Sequence, residues 1–323
     1  MTRLRGLGYA TLLIAFAHLV FGGIVRISGS GMGCGDHWPK CHGYWFPPMN
    51  RMDLIIEVSH RYLASFLILA ITAFVVSAWM RRREPGVGGP GGVLRAAVAS
   101  LVVVTTTALF GALTVFMGNP PSATVAHWVL AAGLFALLAV AVIRAGGLGG
   151  PGAALGGAST RTARGALAAV AVALVVIAFG GLTAKVPYGA VACPNFPLCG
   201  ENPAAPAGAT HIQLTHRTFA FVLFFHLLAL AIIVRRRGEN RTVQTAAWVA
   251  FGAVFTQLLI AGAMIGMRLP PLPRSLHQGM GVLVWIATFV FWYLARTASR
   301  TAVAPAETPD RVPLAALREQ APA

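Results

Sequence analysis

The sequence predicts an all-α integral membrane protein, with eight transmembrane helices that form two four-helix bundles related by a pseudo-twofold axis. Three observations predict this fold class. Hydrophobic residues make up 57% of the 323 residues and charged residues only 11%, which is too apolar for a soluble domain of this length. Apolar runs of membrane-spanning length recur along the chain, and one order of features occurs twice.

Long apolar runs define the predicted helices. A membrane span needs about 20 predominantly apolar residues. Eight runs approach or exceed this length, at residues 7–26, 56–80, 94–117, 124–144, 165–186, 211–234, 243–267 and 275–295. The first run follows basic residues, as in a secretion signal, but no cleavage site of small residues follows it. We therefore expect it to be retained as the first helix.

Basic residues predict the orientation of these helices. The formal net charge is +16, but the arginines lie mainly between apolar runs, so we expect a lipid bilayer and no nucleic acid as the partner. By the positive-inside rule, both termini and the arginine-rich connections face the cytoplasm: Arg3, Arg5, Arg81 to Arg83, Arg161, Arg164, Arg235 to Arg237 and Arg241. The alternate loops then face outward, at residues 27–55, 118–123, 187–210 and 268–274.

The cysteines support this orientation. All four lie in the two long outward loops, as two pairs: Cys34 with Cys41, and Cys193 with Cys199. Paired cysteines on the oxidising side of a membrane predict two disulfides. A zinc site that includes His37 and His42 is the alternative for the first pair.

An internal repeat divides the chain. Phe-Gly-Gly ends the first and fifth helices, at Phe21 to Gly23 and Phe179 to Gly181, and a histidine-arginine pair opens the second and sixth. Because each half has an even number of helices, the halves share one orientation and a pseudo-twofold axis along the membrane normal. The predicted organisation is a first bundle at residues 1–144, a cytoplasmic linker at 145–164, a second bundle at 165–296 and a disordered cytoplasmic tail at 297–323.

Four histidines lie within about two turns of the outward end of a helix, at about 1.5 Å per residue: His60, His127, His216 and His277. Two histidines from different helices at one depth can supply both axial ligands of a haem iron, or one ligand and one catalytic group. The alternative for each is a histidine that only makes interfacial hydrogen bonds, but the duplication favours haem. His18 and His226 have no counterpart in the other half, so we expect them to pack or hydrogen-bond.

Charged residues beside these histidines distinguish the halves. Arg61 and Arg217 suit a haem propionate, although snorkelling to the interface is an equal alternative. Glu57 precedes His60 by three residues, whereas the second half carries Gln213, which cannot ionise. A carboxylate there could move protons or stabilise a cationic intermediate, although the helix dipole also favours an acidic residue near a helix start. We therefore expect chemistry in the first half and a held cofactor in the second.

Together these residues resemble the haem A synthase family, in its bacterial form. The resemblance rests on Glu57-Val58-Ser59-His60-Arg61, on GMGCGDHWPKCHG around the first cysteine pair, on Thr215-His216-Arg217, and on His127 and His277. It spans nearly all eight predicted helices. It implies an oxidoreductase that converts the C8 methyl group of haem o to a formyl group through successive hydroxylations, producing haem a for cytochrome oxidase.

The resemblance also implies a role for each site residue. His216 and His277 are expected to be the axial ligands of a retained haem b. His60 and His127 are expected to contact the substrate, haem o, with Glu57 as a catalytic participant.

For the two cysteine pairs, the resemblance implies different roles. Cys34 and Cys41 match a pair implicated in activity as well as in structure. Cys193 and Cys199 match a pair that only part of the family has, and we interpret it as a structural disulfide.

Haem O synthase and cytochrome oxidase assembly proteins are candidate partners. The Arg, Ala and Gly-rich composition without a transit peptide favours a bacterial plasma membrane.

Two other classes of protein compete with this interpretation. A di-haem electron-transfer cytochrome without catalytic activity would also pair histidines. Transfer across a bilayer needs haems near both faces, whereas all four candidate histidines lie near one face. A transporter can also be duplicated, but polar residues near the membrane midplane, which are typical of that class, are scarce here.

Overall fold

The computed structural model of the chain describes residues 1–301. In this range the helices are α1 (Thr2–Ile27), α2 (Met52–Met80), α3 (Val93–Phe116), α4 (Pro121–Arg144), α5 (Gly150–Ala153), α6 (Thr160–Lys185), α7 (Ala207–Arg236), α8 (Arg241–Gly266) and α9 (Pro271–Thr301). The loops after α1 and after α6 each contain one turn of 3-10 helix, at Ser30–Met32 and Gly189–Val191.

All of these helices except α5 are long and apolar enough to cross a membrane, which makes eight membrane-spanning candidates in the described range. Residues 1–301 contain no β-strand, only an isolated bridge between Cys41 and Tyr44. The prediction of an all-helical protein with eight helices long and apolar enough to span a membrane is confirmed for the described residues. The pseudo-twofold relation between two bundles stays a prediction.

The helices extend beyond the apolar runs that predicted them. α6 begins at Thr160, inside the predicted linker, because Ser159 caps it by accepting a hydrogen bond from the Thr162 backbone N–H at 3.1 Å. α9 continues to Thr301, so the first residues of the predicted tail are helical. The apolar runs underestimate these helices because polar first and last turns can lie outside the hydrocarbon core. Residues 302–323 of the predicted tail lie outside the described residues.

The predicted linker is held by one asparagine. Asn240, which precedes α8, donates from its side-chain amide to the carbonyls of Gly152 at 2.9 Å and Gly156 at 2.7 Å. Its side-chain oxygen also accepts from the Thr242 backbone N–H at 2.8 Å and so caps α8. These bonds tie the connection between α4 and α6 to the connection between α7 and α8.

Helices from both halves of the sequence share one core. Among the first four helices α1 packs on α2 and α4, and among the last four α6 packs on α7 and α9. Between the two sets, α4 contacts α6 and α9, and α1 contacts α9. The Trp285 indole N–H on α9 donates to the Ala132 carbonyl on α4 at 2.9 Å, and the largest apolar cluster contains residues of both sets.

Glycines permit this close approach of helices. A β-carbon at Gly23 of α1 would collide with the side-chain amide of Gln278 on α9. A β-carbon at Gly181 of α6 would lie 2.9 Å from Val125 Cγ2 and 3.1 Å from the Trp128 ring, both on α4. The last glycine of each Phe-Gly-Gly segment therefore packs against a helix from the other half of the sequence.

Candidate functional site

Two short disulfide-closed loops adjoin the helices that carry the histidines. The bonds join Cys34 to Cys41 and Cys193 to Cys199, as the sequence predicts. In the described residues no cysteine is free and no group of three His, Cys, Asp or Glu side chains could hold a metal ion. Although the His37 and His42 rings lie 4.8 Å apart, the disulfide removes the thiolates that the zinc alternative needs.

Arginines of α2 and α7 bind these loops through backbone carbonyls. Arg61 Nη1 donates to the carbonyls of His37, Pro39 and Lys40 at 2.8, 3.1 and 3.3 Å. Arg217 donates in the same way to four carbonyls, at 2.5 to 3.3 Å: Cys193, Asn195, Pro197 and Leu198. Each guanidinium thus fixes the loop over its helix. The predicted pairing of Arg61 and Arg217 with haem propionates stays a prediction.

Glu57 and Gln213 make matching bonds to the two loops. Glu57 Oε2 accepts from the Cys34 backbone N–H at 2.8 Å, and Gln213 Oε1 accepts from the Cys193 backbone N–H at 2.7 Å. Glu57 alone adds an ion pair, from Arg61 Nη2 to its Oε1 at 2.6 Å. Both side chains are buried, so the difference between them is a buried negative charge beside His60.

The His60 ring packs against two residues of α1, His18 and Gly22. Its ring stacks on the His18 ring with centroids 4.4 Å apart and planes 7° from parallel. A β-carbon at Gly22 would lie 3.1 Å from His60 Cε1, so the glycine leaves room for the imidazole. His60 Nδ1 and His18 Nε2 are buried without hydrogen-bond partners in the described part of the chain.

His127 of α4 shares the setting of His60. A β-carbon at Gly111 of α3 would lie 3.0 Å from His127 Cε1, and His127 Nδ1 is likewise buried without a described partner. Both imidazoles of the first half therefore face a glycine of a neighbouring helix and have a buried, unpartnered Nδ1.

In the second half, His216 and His277 each contact a residue of a neighbouring helix. His216 Nδ1 lies 3.0 Å from the Val176 carbonyl of α6, and a β-carbon at Gly180 would lie 2.8 Å from its Cε1. Gln257 Nε2 of α8 donates to the His277 carbonyl at 2.9 Å and lies 3.1 and 3.3 Å from the two ring nitrogens.

Comparison with known sequences identifies the family. The sequence model of COX15-CtaA, described as cytochrome oxidase assembly protein, matches residues 5–55 and 50–289, which is most of the chain. The chain belongs to the COX15-CtaA family. Its relatives include proteins named Heme A synthase from Bacillus cereus, 23% identical over 305 residues, and from Bacillus mycoides, 24% identical over 306 residues. Each alignment covers 94% of this chain and 96% of the relative, so the family predicted from the sequence is confirmed.

The donor set of this COX15-CtaA chain fits haem iron. A histidine that donates through Nδ1 to a carbonyl keeps Nε2 free for a metal, and the Val176 contact gives His216 that arrangement. The Nδ1 atoms of His60 and His127 are buried polar groups without a described protein partner, and a bound ligand could supply one. In both halves the two histidines come from different helices, so together they could hold the iron of one haem.

Several site residues of this COX15-CtaA chain were not identified from the sequence. His18 was expected only to pack, and it stacks directly on His60. The Phe-Gly-Gly recurrence is visible in the sequence, but the sequence does not show that Gly22 and Gly180 face the histidine rings. Nothing in the sequence singled out Gln257. His226, expected to pack or hydrogen-bond, lies with Nε2 2.9 Å from the Gly165 carbonyl, away from these partners.

Proposed function

We propose that this chain is a haem A synthase, which oxidises the C8 methyl group of haem o to a formyl group and so produces haem a for cytochrome oxidase. The observation that carries the proposal is the alignment, over nearly the whole length of both chains, with relatives named Heme A synthase. The geometry agrees with it, because histidines from different helices gather in each half and only one half adds a buried carboxylate.

In the second half, His216 and His277 would hold a retained haem b as axial ligands. The Val176 carbonyl orients the first imidazole by accepting from its Nδ1, and the Gln257 amide lies against the second ring and donates to the His277 carbonyl. A bound haem b would supply one-electron redox chemistry at this position. The protein residues contribute ligation, orientation and exclusion of water.

In the first half, His60 and His127 would bind the substrate, haem o. Gly22 and Gly111 leave space for the two imidazole rings, and His18 limits the rotation of His60 by stacking on it. Glu57 would keep a negative charge near the methyl group that loses electrons and would stabilise positive charge that develops there. Arg61 holds Glu57 in place through the 2.6 Å ion pair.

A pseudo-twofold relation between the halves is part of the proposal. Three contacts that recur in both halves support it. A glutamate or glutamine accepts from the first cysteine of the disulfide loop, and an arginine donates to the loop carbonyls. A glycine also faces the histidine of the second helix of each half. Gene duplication followed by loss of the carboxylate in one half would leave this pattern. The first bundle would then be catalytic and the second would serve electron transfer.

We further propose a bacterial plasma membrane, with both termini in the cytoplasm and the disulfide loops outside. The distribution of the arginine-rich connections supports this orientation. Haem o is apolar and reaches the protein from the bilayer, so lateral entry between helices is the expected route. Haem O synthase and cytochrome oxidase assembly proteins are the proposed neighbours.

The proposal is tested by co-expression of the chain with a haem O synthase, followed by chromatography and mass measurement of the extracted haems. We expect haem a or its hydroxylated precursor from the wild type, and neither from His60→Ala. His216→Ala should remove the low-spin haem b spectrum. If haem b is found but haem o is never converted, the chain is a di-haem cytochrome without catalytic activity.

A further inference from the structure

Three cations meet at the outward ends of α1, α6 and α9, and the proposed reaction does not use them. They are Arg26 on α1, Lys185 on α6 and Arg274 on α9, and we call them the cation cluster. Arg26 donates to Gln278, one helical turn after Arg274 on α9. It also lies over the Trp128 ring, which packs against Gly181, one helical turn before Lys185 on α6. None of the three makes an ion pair within 4.0 Å among residues 1–301.

Arg26 is the central member of the cluster. Its Nη2 donates to Gln278 Oε1 at 3.2 Å, and its guanidinium carbon lies 5.8 Å from the centre of the Trp128 ring. Its Nε is buried and has no described hydrogen-bond partner. A partly buried guanidinium with an orphaned donor and like charges nearby is costly, and an anion placed there would offset that cost.

The cluster lies beside one particular histidine. Gln278, the partner of Arg26, directly follows His277, and Arg274 precedes His277 by three residues, one helical turn nearer the outer end of α9. The anion would therefore lie near the outer edge of whatever His277 ligates. Arg217, which directly follows His216, already donates to four loop carbonyls.

We propose that Arg26, Arg274 and Lys185 form a carboxylate-binding site that holds the propionates of the haem ligated by His216 and His277. This inference rests on the proposed function for the presence of that haem. Guanidinium groups bind carboxylates through paired, charge-assisted hydrogen bonds, which suits the two arginines. Arg26 belongs to the first half of the sequence, so each half contributes to the retention of this haem.

The first half has no matching cluster, which fits the different fate of its ligand. Thr124 precedes His127 by three residues, as Arg274 precedes His277. Ala184 follows the second Phe-Gly-Gly segment by three residues, as Arg26 follows the first. A substrate has to leave after reaction, whereas a cofactor stays. A cation cluster that serves only the second half would let the protein keep haem b and release haem a.

The experiment compares the wild type with Arg26→Gln, Arg274→Gln and Arg26→Lys, all loaded with haem b in detergent. Transfer of haem b to excess apomyoglobin is followed by absorbance. We expect the two glutamine variants to release haem b about tenfold or more faster, as loss of a charge-assisted contact of about 1.4 kcal/mol would give. Arg26→Lys keeps the charge but not the paired hydrogen bonds, so its rate should lie between those of the wild type and Arg26→Gln. Arg268→Gln removes an exposed arginine from the same α8–α9 connection and is the matched control, with no expected change.

A second measurement identifies the anion. The apoprotein is reconstituted with haem b and with its dimethyl ester, which lacks the carboxylates. We expect the wild type to release the ester about tenfold faster than the free acid, and Arg274→Gln to release both at one rate. Equal release of acid and ester by the wild type would overturn the proposal and leave a lipid phosphate as the occupant. A wild type that binds no haem b would overturn both this inference and the cofactor assignment, whereas retained haem b with unchanged variants would overturn this inference alone.

Discussion

The Glu57 carboxylate accepts a hydrogen bond from the backbone N–H of Cys34 at 2.8 Å. Gln213 makes the same bond to Cys193 at 2.7 Å, so a neutral amide is sufficient to anchor such a loop. The charge at Glu57 is therefore not needed for that bond. Arg61 balances the charge in the folded protein, and the carboxylate remains buried beside His60.

This relationship predicts that Glu57→Gln separates structure from catalysis. The glutamine oxygen can still accept from Cys34, so we expect the variant to fold and to retain haem b. Conversion of haem o should fall to background, because the negative charge near the reacting group is gone. Haem chromatography measures the conversion, and thermal unfolding in detergent measures the stability.

Two comparisons control this prediction. Glu57→Ala leaves the buried Cys34 N–H without a partner, so it should lose about 1–3 kcal/mol of stability in addition to activity. Gln213→Ala should lose similar stability while the folded fraction still converts haem o. Normal conversion by Glu57→Gln would show that Glu57 serves only as a loop anchor.

Gly180 and Gly22 are predicted to control the positions of the histidine rings. A β-carbon at Gly180 would lie 2.8 Å from His216 Cε1, and one at Gly22 would lie 3.1 Å from His60 Cε1. Overpacking of this kind costs about 1–3 kcal/mol. Gly180→Ala should therefore reduce haem b occupancy, whereas Gly22→Ala should reduce haem o conversion and leave haem b in place, both measured on purified protein.

Matched glycine substitutions without such neighbours provide the control. A β-carbon at Gly133 of α4 or Gly252 of α8 would meet nothing within 4 Å. Gly133→Ala and Gly252→Ala should change neither haem content nor conversion. If Gly180→Ala binds haem b as these controls do, the ring of His216 has more freedom than the geometry indicates.

The glycines and histidines also show how much of this protein could be predicted from the sequence. Apolar run length and arginine distribution predicted eight helices, because the bilayer sets the length of a span. The depth of His60, His127, His216 and His277 followed from a fixed rise per residue.

Contacts between helices depend on rotation about each helix axis, which sequence periodicity does not specify in uniformly apolar helices. The stacking of His18 on His60 was missed for that reason. The carbonyl partners of Arg61 and Arg217 depend on loop conformation, so the sequence predicted a cation at the boundary but not what it binds. Gln257 could not be predicted as a site residue because it belongs to none of the features that recur in the two halves.

Gln257 is predicted to set the orientation of His277. Its amide lies 3.1 Å from the nearer ring nitrogen and also donates to the His277 carbonyl. Loss of such a supporting contact typically costs about 10–100-fold in metal affinity or activity. Gln257→Leu should weaken haem b retention and alter its low-spin electron paramagnetic resonance signal. Gln244→Leu, at the other end of α8, should do neither.

The two disulfides are predicted to differ in what their loss affects. Each closes a short loop, with sequence separations of 7 and 6, for which chain entropy gives roughly 2.5 kcal/mol of stability. Replacement of Cys193 and Cys199 by serine should lower the unfolding temperature and leave conversion per folded molecule unchanged. Replacement of Cys34 and Cys41 should lower both, because the loop whose backbone N–H positions Glu57 then loses its cross-link. Equal conversion by the two double variants would contradict the assigned difference between the halves.

His18 is predicted to position His60 without touching iron. The parallel stack at 4.4 Å is an aromatic contact worth about 0.5–1.5 kcal/mol, so its loss should lower haem o conversion by roughly 2–12-fold. His18→Phe keeps a ring for stacking but no nitrogen, so it should retain most of the activity that His18→Ala loses. Both should keep the haem b spectrum, because His18 lies in the first half. Equal loss of conversion in His18→Phe and His18→Ala would show that the nitrogen of His18, rather than its ring face, serves the reaction.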